Sequence, residues 1–301
     1  MADSASGPIY WKGISPEDVS WASRELPRAL ALAASRLRRE PTRPLTTVLL
    51  PNRFEMRRFL DREQIATSSS PYWQPLGVTV PSLGLVVIRW DHQPPTESLT
   101  ETLLHEAVHV VLHTQSPSRL PRWLDEGLAQ WVSGRRLSPD EVSYLALLAR
   151  VGGLYPFESL QARFPPTHEL SSIAYQESFF FVQYFVSLKG ESQIPALIDA
   201  ASENPIDVAI RGLLGKDMAR AEAEFHAWVL GQATWAAALA SIVNLWTLSG
   251  LLALAAVLRH WLRRRRRLKV MAAAEVASDA SEPGVGSEET LGPEGNDEPG
   301  G

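Results

Sequence analysis

"LHEAVHVVLH", residues 104–113, places His105, His109 and His113 at four-residue intervals, with Glu106 directly after the first. In a helix, residues four apart differ by about 40° in azimuth and about 6 Å along the axis. His105 and His109 therefore project from one face on successive turns. Two imidazoles so placed can reach one ion at metal–nitrogen distances of about 2.0 to 2.1 Å. Glu106 lies about 100° round from His105, where a carboxylate can take a proton from water held by that ion. This is the H-E-x-x-H arrangement. A tetrahedral catalytic zinc needs a third protein ligand and one position left open. His113 sits about 12 Å along the axis and about 80° round from His105, too far for all three to converge. It reads as a partly buried helix histidine or a C-terminal capping residue. The longer pattern that adds a Gly and a third His fails too, because Leu112 and Ser116 occupy those positions.

The missing ligand is sought downstream. Pro117 to Pro121 break the chain, and PRWLDEGLAQWV, residues 121–132, opens a second helix that can return alongside the first. Glu126 would then face the ion. Gly127 has no side chain to hold the two helices apart, and Trp123, Leu124, Leu128 and Trp131 supply apolar contact. Alone, Glu126 would be read as a solvated helix residue; beside an H-E-x-x-H helix it is read as the third ligand.

HEAVHVVL followed by RWLDEGLA resembles the gluzincin metallopeptidases, in the form of the peptidase MA-like domains related to the thermolysin and aminopeptidase N groups. The likeness is tight over these two motifs. It is looser from residue 20 to 230, including AYQESFFFVQYF and GKDMARAEAEFHAW. The resemblance implies one catalytic Zn²⁺ on His105, His109 and Glu126, with Glu106 as general base. It also implies that Tyr175 presents a hydroxyl to the attacked carbonyl; the competing reading is a core tyrosine. Two positions depart from the pattern. The G-x-M-E-N motif with which aminopeptidases grip an amino terminus is absent. Where thermolysin-like enzymes place an acid four residues after the Glu ligand, this chain has Gln130, a weaker support for a ligand imidazole. Asp125 either takes over that support or is a plain acid in the first turn of its helix. His168 is read as a surface residue.

With 301 residues and 45% hydrophobic content, the chain is expected to form one globular domain with appendages. It has no cysteine, so any metal must be held by histidine and carboxylate. The net charge of −5 conceals two segments: an unbroken basic run, Arg263 to Arg267, and an acidic tail. Residues 227–258 carry no charge, and Trp235 to Leu258 is mostly apolar. At about 1.5 Å per residue such a helix spans a hydrocarbon core of about 30 Å. Trp228, Trp235 and Trp261 fit interfacial positions, and the arginines follow at once. The expectation is a single-pass anchor at 235–258. The arginine side would be cytoplasmic and the catalytic domain extracytoplasmic, although MADSASGPIYWKG contains no apolar export segment.

The expected fold class is α+β. A small N-terminal mixed sheet with flanking helices precedes a mostly helical zincin-like half. Helices are expected at 16–40, 52–62 (with Phe54 and Phe59 on one side), 96–113, 122–132, from Ser138, and at 173–188, 194–201, 206–214 and 218–230. Strands are expected at 45–50, 78–80 and 83–90, the last aligned to pair with an extended peptide. The domain plan is a metallopeptidase over 1–230, the anchor at 235–258, a basic segment at 259–270 and a disordered acidic tail at 271–301. The function expected is a membrane-anchored zinc endopeptidase acting on a peptide or protein, with membrane lipid as its other partner. The alternative is a membrane-tethered zinc module that binds without cleaving. An intramembrane protease fits poorly, since the motif lies outside any long apolar span. No feature points to nucleic acid; the arginine run suits a membrane face.

Overall fold

Strand β3 comes from TTVLL (Thr46–Leu50) and β5 from LVVIR (Leu85–Arg89). Both are near-continuous hydrophobic runs, the pattern of strands covered on both faces. The computed structural model, which describes residues 2–41, 44–65, 76–91, 99–114, 120–232, 253–257 and 259–260, places them side by side and parallel at the centre of a sheet. Three further strands, β1 (Ala2–Ser4), β2 (Gly7–Trp11) and β4 (Gly77–Val80), complete the order β1-β2-β3-β5-β4. The sheet is mixed: β2 runs parallel to β3, while β1 and β4 are antiparallel to their neighbours.

Alternation along β3 and β5 sends side chains to two separate cores. Val48, Leu50, Leu85 and Val87 meet Met56 and Leu60 of helix α2 (Arg53–Arg62). Ile9, Leu49, Val86 and Ile88 face the main core, shared with helix α1 (Pro16–Leu37) and the zinc-motif helix α3 (Leu99–Thr114). Helix α1 starts at Ser15, whose hydroxyl accepts from the Asp18 amide, and stops where Arg38 turns left-handed. The remaining helices are α4 (Arg122–Ser133), α5 (Pro139–Val151), α6 (His168–Lys189), α7 (Ile194–Glu203), α8 (Ile206–Leu214) and α9 (Met218–Gln232). Helix α4 packs against both α3 and α6. Beneath it Trp123, Phe157, Phe181 and Phe225 form an aromatic cluster with ring centroids 4.5–5.6 Å apart.

Several expectations change. The N-terminal stretch is a hairpin, β1 to β2, that joins the sheet. It depends on Gly7, whose positive φ and approach to the Leu45 carbonyl leave no room for a Cβ. The expected strand at 83–90 starts at Leu85, because Pro81–Leu83 forms a 3-10 turn. It is also enclosed between β3 and β4, so among the described strands the edge strand next to α3 is β4. On α2 the buried face is Met56 and Leu60, while Phe54 is exposed. Trp228 packs on Phe180 and Tyr184, which accounts for it without a membrane interface. The expected anchor at 235–258 and the segments after it lie outside the described residues, except for 253–257 and 259–260, which are helical. Among the described residues no helix is long and apolar enough to cross a membrane.

Candidate metal centre

Helix α3 crosses the main core with Leu103, Ala107, Val108 and Val111 almost fully buried. That burial fixes its rotation and leaves His105 and His109 facing α4. Helix α4 is fixed in turn by Trp123, Leu124 and Leu128, each fully buried, and so presents Asp125 and Glu126 to the two histidines. His105 Nε2 and His109 Nε2 lie 3.2 Å apart. Glu126 Oε2 is 3.5 Å from the first and 3.7 Å from the second.

These separations test the fit of a metal directly. Ligand atoms about 2.0 to 2.1 Å from a tetrahedral ion stand about 3.3 to 3.4 Å from one another. Two imidazole nitrogens and a carboxylate oxygen at 3.2–3.7 Å match that set. The donor chemistry, N₂O without thiolate, suits a catalytic zinc with one open position. His105, His109 and Glu126 are thus brought together as the sequence suggested.

Asp125 resolves the question raised by Gln130. Its Oδ1 lies 3.0 Å from His109 Nδ1, and its Oδ2 lies 2.9 Å from His113 Nε2. An acceptor on Nδ1 leaves Nε2 free to face the ion and raises the basicity of the ring. Burial alone would raise the Asp125 carboxyl, but His109 and His113 outweigh it and hold it well below the usual carboxylate range. Likewise burial alone would lower His109; Asp125, helped by Glu126 and Glu106, pushes it up to about 10. The carboxylates that favour a proton there would also favour a divalent cation, and the two would compete for the ring. Gln130 plays a different part: its Nε2 donates to the backbone oxygens of Glu126 and Tyr175 at 3.2 and 3.0 Å, linking α4 to α6. His113 sits outside the ligand set, as helix geometry requires, and serves as the second partner of Asp125.

Gly127 also acts elsewhere than expected. A Cβ there would lie 2.4 Å from the Ser178 carbonyl oxygen, so the close approach it permits is to α6 rather than α3. That approach carries Tyr175 to the site. Burial, then the Glu126 charge, holds its phenol protonated well above the usual range, as a hydrogen-bond donor must be. Its ring meets Phe164 edge-on at 4.8 Å. His168 is an exposed first residue of α6 and takes no part.

Three contributors were missed in reading the sequence. Thr79 on β4 donates its hydroxyl to Glu106 Oε2 at 2.6 Å. Gly77, two residues earlier, has its backbone against the same side chain; a Cβ there would lie 2.3 Å from Glu106 Oε1. Arg122 places Nη2 3.4 Å from Glu126 Oε1 and its guanidinium carbon 5.1 Å from the Phe164 ring centre. Only Arg122 left a signal, its position one helical turn before Glu126. Strand β4 meets Glu106 through tertiary structure alone.

Residues 72–231, a little over half of the chain, match the family model described as the peptidase MA superfamily. No curated protein matches the chain.

Proposed function

From the chain's membership of the peptidase MA superfamily, we propose that it is a zinc metallopeptidase that hydrolyses peptide bonds, cutting within chains. The observation that carries this is the convergence of His105 Nε2, His109 Nε2 and Glu126 Oε2 at 3.2–3.7 Å with Glu106 alongside. A zinc ion there would act as a Lewis acid on the scissile carbonyl and on a water molecule. Glu106 is buried and oriented by Thr79. It accepts the water proton and delivers it to the departing amine. Tyr175, held neutral, donates to the carbonyl oxygen as charge develops on it. Strand β4 pairs only with β5 among the described strands, so its other side offers backbone N–H and C=O groups to an extended peptide. An edge that binds a mid-chain segment fits an endopeptidase, as does the absence of G-x-M-E-N.

The decisive experiment is Glu106→Gln. The variant is expected to keep stoichiometric zinc, read by chelator competition, while losing peptide cleavage by a factor of about 10² to 10⁴, the usual contribution of a general base. Undiminished cleavage in that variant would overturn the mechanism. Stoichiometric zinc without turnover of any peptide in a broad library, in the unaltered protein, would instead support a binding module.

We propose further that residues 235–258 anchor the domain in a membrane. The charge-free stretch and the arginines that follow it support this, and they favour an extracytoplasmic catalytic domain. Protease accessibility of the domain in intact cells tests the orientation; protection there, with exposure only after lysis, would reverse it.

A further inference from the structure

Arg122 is short of acceptors. A guanidinium carries five N–H donors in a fixed plane. Here Nη2 has Glu126 Oε1 at 3.4 Å, beyond a good hydrogen bond, and the Tyr175 hydroxyl accepts a hydrogen bond from the guanidinium. The buried Nε has no hydrogen-bond partner among the described residues. The side chain is nevertheless 42% exposed, and its plane is steadied over the Phe164 ring at 5.1 Å. Glu126 itself is committed elsewhere, since its Oε2 faces His105 and His109. Asp125 is engaged by two imidazoles, and Glu106 by Thr79. Among the described residues, a fixed, partly open cation therefore stands beside the candidate metal centre with N–H donors to spare.

Resting on the peptidase reading above, we infer that Arg122 is a specificity determinant that binds a substrate carboxylate close to the scissile bond: an acidic side chain where the cut falls within a chain, or a free C terminus, which would move the cut next to the chain end. A planar fork matches a carboxylate end-on with two parallel hydrogen bonds, a geometry no neutral side chain reproduces. Phe164 and Tyr175 hold that fork in place from α6 and the segment before it. The interaction selects substrate rather than performing chemistry, so it should appear in binding as well as in turnover.

The test uses the zinc-loaded Glu106→Gln protein, which binds peptide without consuming it, and reads affinity by calorimetry. Peptides are compared in pairs: free acid against C-terminal amide, and Glu against Gln at positions flanking the expected cleavage point. The carboxylate member of one pair type should bind about ten- to a hundredfold more tightly, the range of charge-assisted hydrogen bonds. Which pair type shows it identifies the source of the carboxylate. In Glu106→Gln/Arg122→Gln the two members should bind alike, and Arg122→Lys should restore part of the preference. Equal binding of all pairs to the Glu106→Gln protein overturns this inference alone. So does a preference that survives Arg122→Gln, or loss of zinc in that variant with acid and amide weakened together, which would make Arg122 a support for Glu126 only. Failure of any peptide to bind the zinc-loaded protein overturns the peptidase reading with it.

Discussion

Asp125 shows how one residue converts two helices into a site. It stands directly before Glu126, so one turn of α4 orients one candidate ligand, His109, with its first residue and supplies another candidate ligand with the next. Its two oxygens meet His109 and His113 at 3.0 and 2.9 Å, but only the first contact reaches a ring whose other nitrogen belongs to the candidate metal set. Removing the carboxylate with Asp125→Ala is therefore expected to weaken zinc affinity by about 10- to 100-fold, the usual effect of losing such support. His113→Ala should change it by no more than a few-fold, because Oδ1 remains on His109. The double variant should match Asp125→Ala. Zinc dissociation constants measured with a competing chelator check all three; equal losses in the two single variants would mean that His113 is itself part of the metal environment.

At the scale of elements, the site is the meeting of α3, α4, α6 and β4, and these were unequally legible. The helices announced themselves because each carries its own punctuation, such as the reciprocal Ser138–Glu141 capping box of α5. The candidate ligand set, which the structure brings together, was readable from 3.6-residue periodicity and one expected chain reversal. The hairpin of β1 and β2 was hidden because its strands are short and partly polar, and β3, the strand that β2 joins in the sheet, lies more than thirty residues away. The role of β4 was hidden for the same reason: Thr79 and Glu106 are 27 residues apart and meet only when sheet and helix pack. Gly77 makes that junction testable. A Cβ there would lie 2.3–2.5 Å from Glu106 Oε1, Cδ and Cγ, all atoms of a side chain that can swing away. Gly77→Ala should therefore fold and keep zinc while displacing the base. A displacement of this order is expected to lower kcat by about a hundredfold, with a much smaller change in KM. Near-normal kcat in a folded, zinc-loaded Gly77→Ala protein would show that Glu106 need not sit against β4.

For the molecule as a whole, the mouth of the site depends on a segment with no regular structure of its own. The connection from α5 to α6 carries Phe164 to Arg122 and Tyr175, and its Gln161 carbonyl accepts from the Arg122 amide at 2.8 Å. Two carboxylates hold its other end: Glu177 Oε1 accepts from the Tyr155 amide at 2.9 Å, and Glu222 Oε1 from the Phe157 amide at 2.8 Å. Glu177 is 1% exposed, and its Oε2 is buried without a partner among the described residues. Burial, reinforced by the Glu222 charge, pushes its carboxyl up to about 8; burial raises Glu222 also. In the unfolded chain a glutamate titrates near its ordinary value of about 4.3. Between that value and about 8 the folded protein therefore binds more protons than the unfolded one, and stability must fall as pH rises through this window. Glu177→Gln keeps an oxygen for the Tyr155 amide and removes the ionisation. Its unfolding free energy should decline less over the same window and exceed that of the unaltered protein at the upper end, by a few kcal/mol at most. Glu222 and other groups leave a residual slope. Urea unfolding across the window, followed by far-UV circular dichroism, measures both curves. Parallel curves would mean that Glu177 is ionised in the fold throughout, and that the connection shaping the mouth of the site is held by a charge rather than by a buried acid.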